Sequence, residues 1–134
     1  MYPDIDALMQ RARRARESAY APYSRFTVGA ALLAEDGTIF EAANVENASY
    51  GLAMCAERAA VFAAVSAGRR RFLAIAVAGP ETAACAPCGA CRQVLSEFNP
   101  ELPVAYTTGA GIARATLTEL LPAAFGPRSV EPAT

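Results

Sequence analysis

The chain lacks three residue types, and each absence excludes a kind of chemistry. Its 134 residues include no histidine, no tryptophan and no lysine, so all 12 basic residues are arginine. Without histidine there can be no Ser-His or Cys-His catalytic pair and no histidine-ligated metal. Without lysine there is no Schiff base and no phosphate-binding P-loop lysine. The chemistry must therefore come from 13 carboxylates, four cysteines, the hydroxyl groups and the arginines.

Charge and hydropathy narrow the range of partners. The formal net charge is −1, whereas proteins that bind nucleic acid have a clear basic excess. No apolar run has the length needed to cross a bilayer, and the N-terminus lacks the features of a signal peptide. We therefore expect a cytoplasmic protein with no nucleic-acid or membrane partner. In that reducing compartment, four cysteines are more typical of metal ligands or reactive thiols than of disulfides.

The order of periodic segments predicts an α/β protein. Helical spacing of apolar residues predicts helices over 4–20, 54–67 and 87–98, and a helical turn over 116–121. Strand-like segments cover 26–33, 38–44, 72–78, 102–106 and 112–115. These elements imply a three-layer α/β/α sandwich with a five-stranded mixed sheet. We expect one domain over 1–134, with a frayed tail over 126–134.

Three of the four cysteines lie at the starts of predicted helices. Cys55 opens one helix, while Cys88 and Cys91, one helical turn apart, open another. A helix N-terminus favours the thiolate, which is the form that binds zinc. Three thiolates leave the fourth tetrahedral position open, as in catalytic zinc sites, and a water there is acidified toward neutral pH. We expect one zinc ion per chain, with Glu57 placed to accept the proton of that water.

These residues form a two-part pattern, CAE at 55–57 and PCGAC at 87–91. Zinc-dependent deaminases carry this pattern, with either Cys or His at its first position. The alternative is a closed four-thiolate structural site, or a redox pair, that includes Cys85. Cys85 lies in the loop before the helix, and a closed site would leave Glu57 without a purpose. The pattern therefore favours an open, catalytic site.

Over about residues 20–125 the chain resembles the small homotetrameric cytidine deaminases of pyrimidine salvage. The matching motifs are APYSRF at 21–26, VGAA at 28–31, NVENASYG at 44–51, CAER at 55–58, PCGACRQ at 87–93 and LLPAAF at 120–125. The resemblance implies zinc-dependent hydrolytic deamination of cytidine and 2′-deoxycytidine. It implies that Cys55, Cys88 and Cys91 hold the zinc and that Glu57 shuttles the protons.

The resemblance also implies how a nucleoside is held. Asn44 and Glu46 match the residues that bind the ribose 3′-hydroxyl, and a site built in this way rejects substrates that lack it. Phe26 matches an aromatic ring that packs on the pyrimidine, and the backbone around Ala56 matches a contact with the base. Without the resemblance, ordinary loop polarity would be the favoured explanation of Asn44 and Glu46, and core packing at the start of the strand is the alternative for Phe26.

Neighbouring subunits contribute to the active site in the family that this chain resembles. Ala48, Tyr50 and Phe125 match the positions concerned. The resemblance therefore implies a homotetramer in which the active sites are shared between subunits.

Arg58 directly follows the predicted proton shuttle. Zinc with three thiolates carries a net charge of about −1, which weakens its ability to acidify water. An arginine that donates hydrogen bonds to the sulfurs would withdraw the excess charge, and Arg58 matches the residue thought to do this in the family. The alternative is a surface arginine on the helix over 54–67.

Two other functions stay open at this point. One is deamination of another aminated nucleoside, as in the blasticidin-type enzymes, which share the two-part cysteine pattern. The loop over 44–51 resembles the cytidine enzymes and disfavours it. The other is a non-catalytic zinc-binding module, which Glu57 and the open coordination position disfavour.

Overall fold

A five-stranded mixed sheet forms the centre of the fold, and helices cover both of its faces. The computed structural model describes residues 3–130. The strands are β1 (Gly29–Ala34), β2 (Ile39–Ala43), β3 (Phe72–Ala78), β4 (Pro103–Thr108) and β5 (Gly111–Thr116). The helices are α1 (Ile5–Arg16), α2 (Ala56–Ser66), α3 (Gly89–Phe98) and α4 (Leu117–Leu120), with 3-10 turns at Tyr50–Leu52 and Pro127–Val130. The predicted fold class is confirmed.

The strand order is β2-β1-β3-β4-β5. Strands β3 and β4 run parallel, and the other three neighbouring pairs run antiparallel. The turn between β1 and β2 contains Gly37 with φ 90°, a conformation that glycine adopts without steric cost. Its neighbour Asp36 accepts a hydrogen bond from the backbone N–H of Thr38. Asp36 and Gly37 thus form the hairpin turn that joins β1 to β2.

The two faces of the sheet bury side chains of different size. Along β3, Ala74, Ala76 and Ala78 belong to the core beneath α1. Ile75 and Val77 alternate with them and belong to the core beneath α2 and α3. The alanine-rich face lets α1 approach the sheet closely, which gives the high alanine content of the chain a structural role.

Helix α1 and strand β1 are both shorter than the sequence predicts. The helix ends at Arg16, whose Nε donates hydrogen bonds to the carbonyl and hydroxyl oxygens of Thr27. The chain then turns so that Tyr20 forms a bridge with Val45. Strand β1 begins only at Gly29, three residues later than predicted. In both cases contacts between residues distant in sequence override the local pattern.

The C-terminal segment is described only in part. The 3-10 turn Pro127–Val130 lies within the predicted tail over 126–134, and residues 131–134 are outside the described range. Within residues 3–130, none of the helices combines the length and the apolar character that a membrane crossing requires.

Candidate active site

Three strands end or begin in register at one edge of the sheet. Gly29, the first residue of β1, pairs with Ala43 at the end of β2 and with Ala78 at the end of β3. The segments that precede β1, follow β2 and follow β3 therefore leave the sheet together. Val45 and Met54 then exchange two backbone hydrogen bonds of 3.0 and 2.9 Å, which brings the start of α2 to the same edge.

Three thiols meet at this edge. Cys55 and Cys88 are the N-cap residues of α2 and α3, and neither side chain makes a capping hydrogen bond. Cys91 follows in the first turn of α3. The sulfur of Cys88 lies 3.8 Å from that of Cys55 and 3.5 Å from that of Cys91, and all three sulfurs lie within 4.8 Å of one another.

The spacing of the sulfurs fits zinc. Four ligands placed tetrahedrally around zinc at about 2.3 Å are separated from one another by about 3.8 Å. The two measured separations, 3.8 and 3.5 Å, match that edge length. Both helix N-termini also direct their positive ends at the thiols, which stabilises thiolates. One metal ion therefore fits among Cys55, Cys88 and Cys91, and the protein supplies three ligands to it.

Arg58 contacts the cluster directly. Its Nη2 donates a hydrogen bond of 3.2 Å to the sulfur of Cys55. Hydrogen bonds from Cys91 and from Arg58 lower the pKa of the Cys55 thiol to about 5, although burial opposes the shift. The contact places a positive charge beside a cluster whose thiolates would otherwise carry excess negative charge.

Glu57 is a buried carboxylic acid beside the thiols. It lies in the first turn of α2, and only 5% of its surface is exposed. Burial, with a smaller contribution from the charge of Cys55, raises its pKa to about 7. A carboxyl group with a pKa near the operating pH can both take up and release a proton.

A cavity of about 240 Å³ opens beside Glu57, Cys55 and Cys88. Its other lining residues come from the same sheet edge and combine apolar with polar side chains: Ser24, Phe26, Val28, Asn44, Glu46, Ala56, Cys85 and Ala86. The side chains around a buried acid and a metal-ligand cluster are thus those that suit a small, partly apolar and partly polar molecule.

Comparisons with known proteins agree with this geometry. The family model for the cytidine and deoxycytidylate deaminase zinc-binding region matches residues 3–107. The chain belongs to the cytidine and deoxycytidylate deaminase family. The cytidine deaminase of Sporosarcina psychrophila is 52% identical to it over 124 residues, 91% of each chain. That of Mycobacterium tuberculosis is 46% identical over 127 residues, 92% of each chain. A crystal structure of cytidine deaminase from Burkholderia pseudomallei has a TM-score of 0.85 at 52% identity, covering 90% of this chain and 98% of that one.

In this member of the deaminase family, the side chain of Asn44 is already engaged with the backbone. Its Oδ1 accepts a hydrogen bond of 2.8 Å from the N–H of Val28, and its Nδ2 donates one of 2.9 Å to the carbonyl of Phe26. These bonds occupy the N–H of Val28 and the carbonyl of Phe26, which would otherwise pair with a neighbouring strand, and this explains why β1 begins at Gly29. They use Oδ1 and one of the two N–H groups of the amide, which leaves the second N–H for a molecule in the cavity that Asn44 lines.

Glu46 is held by the segment that precedes Phe26. Its Oε1 accepts hydrogen bonds from the backbone N–H groups of Tyr23 and Ser24, at 3.0 and 3.1 Å. Its Oε2 accepts a hydrogen bond of 2.5 Å from the hydroxyl of Ser24. These bonds, led by the one from the Ser24 hydroxyl, hold the pKa of Glu46 below its usual value.

The residues expected to serve neighbouring subunits are exposed on the single chain. Tyr50 is 76% exposed and Phe125 is 61% exposed, and Ala48 is also exposed. Tyr50 packs edge-to-face on Tyr23 and lines a second cavity, of about 350 Å³, that shares Ser24 and Glu46 with the first. Neither Ala48 nor Phe125 lines either cavity. The chain alone therefore does not bring these two residues to the site.

Cys85 lies apart from the group of three thiols but in the wall of the cavity. Burial raises its pKa to about 11, so the thiol stays neutral. Its backbone N–H donates to the carbonyl of Thr107 on β4. Its side chain occupies space left by Gly79, where an added Cβ would lie 2.6 Å from its sulfur. In this position Cys85 packs as a small apolar residue.

Sequence reasoning assigned no role to Ser24, Val28 or Ala86, which also line the cavity. A signal was available for Ser24, since a serine often bonds the backbone N–H two residues later. Its hydroxyl accepts such a bond, of 2.9 Å, from Phe26. Val28 and Ala86 carried no signal, because small apolar residues occur throughout the chain.

Proposed function

We propose that the protein catalyses the hydrolytic deamination of cytidine and 2′-deoxycytidine to uridine and 2′-deoxyuridine, with release of ammonia. The observation that carries the proposal is the cavity in which a buried acid, Glu57, adjoins the three-thiol cluster. The relatives named cytidine deaminase, which match more than nine tenths of the chain, support the same reaction. An acid next to an open metal position suits hydrolysis at a ring carbon that bears an amino group.

Cys55, Cys88 and Cys91 would hold the zinc ion through their thiolates. When bound, zinc supplies the nucleophile by lowering the pKa of a coordinated water toward neutral. Arg58 would offset the charge of the three thiolates through its hydrogen bond to the sulfur of Cys55. Its role is to keep the centre electrophilic.

Glu57 would carry the protons of the reaction. It takes a proton from the attacking water and delivers it to N3 of the cytosine ring, which makes C4 more electrophilic. The water oxygen bonds to C4. Glu57 then takes the proton of the hydroxyl group formed there and delivers it to the exocyclic nitrogen, so that the C4–N bond breaks, ammonia leaves and a carbonyl remains at C4. The burial of Glu57 supports this role, because a carboxyl group with a pKa raised to about 7 is matched to both directions of transfer.

The remaining cavity residues would bind the nucleoside. The ring of Phe26 packs on the pyrimidine, and the backbone at Ala56, a fully buried residue at the start of α2, contacts the base. The free amide N–H of Asn44 and the carboxylate of Glu46 bind the ribose 3′-hydroxyl. Their position on the same cavity as Glu57 supports this assignment.

We further propose a homotetramer of single-domain subunits that acts in pyrimidine salvage in the cytoplasm. The exposure of Tyr50 and Phe125 supports the assembly, since both lie at positions that match subunit contacts in the family and are free to meet a neighbouring chain. In the tetramer, Ala48, Tyr50 and Phe125 would complete the active sites of neighbouring subunits. The formal net charge of −1 is consistent with a free nucleoside rather than a polynucleotide as substrate.

The test is a substrate panel with metal analysis. The zinc-loaded protein should convert cytidine and 2′-deoxycytidine to uridine and 2′-deoxyuridine. The conversion is monitored by the loss of absorbance that accompanies removal of the amino group. Activity on blasticidin-type aminonucleosides without activity on cytidine would favour the alternative hypothesis that the protein deaminates another aminated nucleoside. Zinc binding without turnover of either substrate would favour a non-catalytic module. Activity measured against association state should vanish in the dissociated subunit if the sites are shared.

A further inference from the structure

Ser24 lines the cavity beside Glu57, and its hydroxyl bonds both to Glu46 and to the backbone of Phe26, the residues that would bind the ribose and the base. We propose that Ser24 is a positioning residue, which holds both Glu46 and Phe26 in the orientation that binds the nucleoside. This inference rests on the proposed function and adds to it a residue that itself need not touch the substrate.

The first bond of that hydroxyl orients the carboxylate of Glu46. The Ser24 hydroxyl donates to Oε2 at 2.5 Å, while Oε1 accepts the backbone N–H groups of Tyr23 and Ser24. A carboxylate has about four acceptor positions, two on each oxygen. Three are therefore filled by the protein, and the one that remains is on Oε2. Ser24 thus leaves Glu46 a single acceptor position for a substrate hydroxyl.

The second bond of the same hydroxyl fixes the backbone of Phe26. The N–H of Phe26 donates to the Ser24 oxygen at 2.9 Å. The intervening residue, Arg25, has φ 60°, a left-handed conformation that side chains other than glycine seldom adopt. The turn that brings Phe26 to the cavity is therefore strained at Arg25, and the Ser24 hydroxyl helps to hold it.

The two bonds make one hydroxyl a link between two binding elements. The carboxylate that would hold the ribose and the ring that would pack on the base are 20 residues apart in sequence, yet both depend on Ser24. Holding two binding groups in place before the ligand arrives lowers the entropy lost on binding. Loss of the hydroxyl should therefore weaken substrate binding more than the chemical step.

The test compares Ser24→Ala with Ser24→Thr, which keeps the hydroxyl, in the zinc-loaded enzyme. Ser24→Ala should raise KM for cytidine about five- to tenfold, with kcat changed less than about twofold. Ser24→Thr should keep KM close to the wild-type value. The increase in KM should be smaller for 3′-deoxycytidine, which lacks the hydroxyl that Glu46 would bind. Ser66→Ala, at an exposed serine near the end of α2, controls for loss of a surface hydroxyl.

A second measurement does not depend on turnover. Titration of the Glu46 carboxyl by carbon-13 NMR should show a higher pKa in Ser24→Ala and a return in Ser24→Thr, since the Ser24 hydroxyl stabilises the ionised form. An unchanged Glu46 titration, or equal increases in KM for cytidine and 3′-deoxycytidine, would overturn the role of Ser24. If the wild type deaminates no cytidine while the titration shifts as expected, the proposed function fails and the link from Ser24 to Glu46 stands.

Discussion

One added methyl group at Gly79 should damage both the fold and the candidate active site. A Cβ atom at this position would lie 2.6 Å from Sγ and 2.7 Å from Cβ of Cys85, and 3.7 Å from the ring of Phe26. Ordinary contacts begin at 3.4 Å, so in Gly79→Ala the Cys85 side chain must move by about 0.8 Å. Cys85 and Phe26 both line the cavity, so the displacement changes the shape of the site.

The size of the effect follows from the overlap. Overpacking a well-filled site costs about 1–3 kcal/mol of the free energy of unfolding, which lowers Tm by roughly 3–12 °C in a domain of this size. A displacement approaching 1 Å at a binding wall should lower kcat/KM for cytidine by about tenfold or more. Urea denaturation and initial-rate kinetics of the zinc-loaded protein measure the two effects separately.

A double substitution identifies the cause of the damage. Cys85→Ala removes the sulfur but keeps the Cβ that lies 2.7 Å from the added methyl group. In the Cys85→Ala background, Gly79→Ala should still lower the free energy of unfolding, but by less than it does in the wild type. Gly126→Ala is the matched control, since an added Cβ there meets no heavy atom within 4 Å. A Gly79→Ala protein as stable and active as the wild type would refute the packing argument, and so would an equal cost in both backgrounds.

Three further substitutions test other parts of the molecule. Arg58→Ala should lower kcat about 10- to 100-fold while one zinc ion per chain remains bound, because a cationic partner of a ligand is lost. Cys85→Ala should retain one zinc ion per chain by metal analysis, because Cys85 is not among the three clustered thiols that could bind the ion. Although burial opposes it, hydrogen bonds from Arg14 and Arg11 hold the pKa of Glu41 below its usual value. That pairing stabilises the fold above about pH 4.3, and the stabilisation is lost as the pH falls through the lowered pKa. The free energy of unfolding of Glu41→Gln should therefore decrease less steeply in acid than that of the wild type.

Each of these substitutions has a control or a contrary outcome. Arg70→Ala, at an exposed arginine, should leave kcat unchanged, and an unchanged kcat in Arg58→Ala would contradict the role of the contact with Cys55. Loss of zinc from Cys85→Ala would restore the four-thiolate alternative. Glu97→Gln, at an exposed carboxylate on α3, should keep the wild-type acid profile. If the stability of Glu41→Gln falls with pH in the same way as that of the wild type, the pairing of Glu41 with the arginines does not contribute to the loss of stability in acid.

Much of the fold could be predicted because local pattern and tertiary contacts agree. The apolar run over 72–78 is β3 with the predicted bounds, since its alternating alanines and larger residues suit two covered faces. Gly68, with φ 87°, lies just beyond the end of α2, where the sequence predicts a stop. The sequence of helices and strands along the chain is also the predicted one.

The rest depends on contacts between segments distant in sequence. The predicted start of β1 is wrong by three residues, because the N–H of Val28 and the carbonyl of Phe26 bond to the side chain of Asn44 rather than to the backbone of a neighbouring strand. The spacing of Cys88 and Cys91 predicts that they converge, but the approach of Cys55 depends on how α2 packs against α3. The bonds of Ser24 likewise depend on Glu46 reaching the same sheet edge, which no local pattern states.

We propose that Glu57 carries the protons for deamination beside a three-thiolate zinc site. The most direct test measures zinc content and cytidine turnover on the same preparations of the wild type and Glu57→Gln. We expect one zinc ion per chain and a folded protein in both, with turnover in Glu57→Gln reduced by about 10²- to 10⁴-fold. Turnover retained in Glu57→Gln at the wild-type zinc content would contradict this role of Glu57.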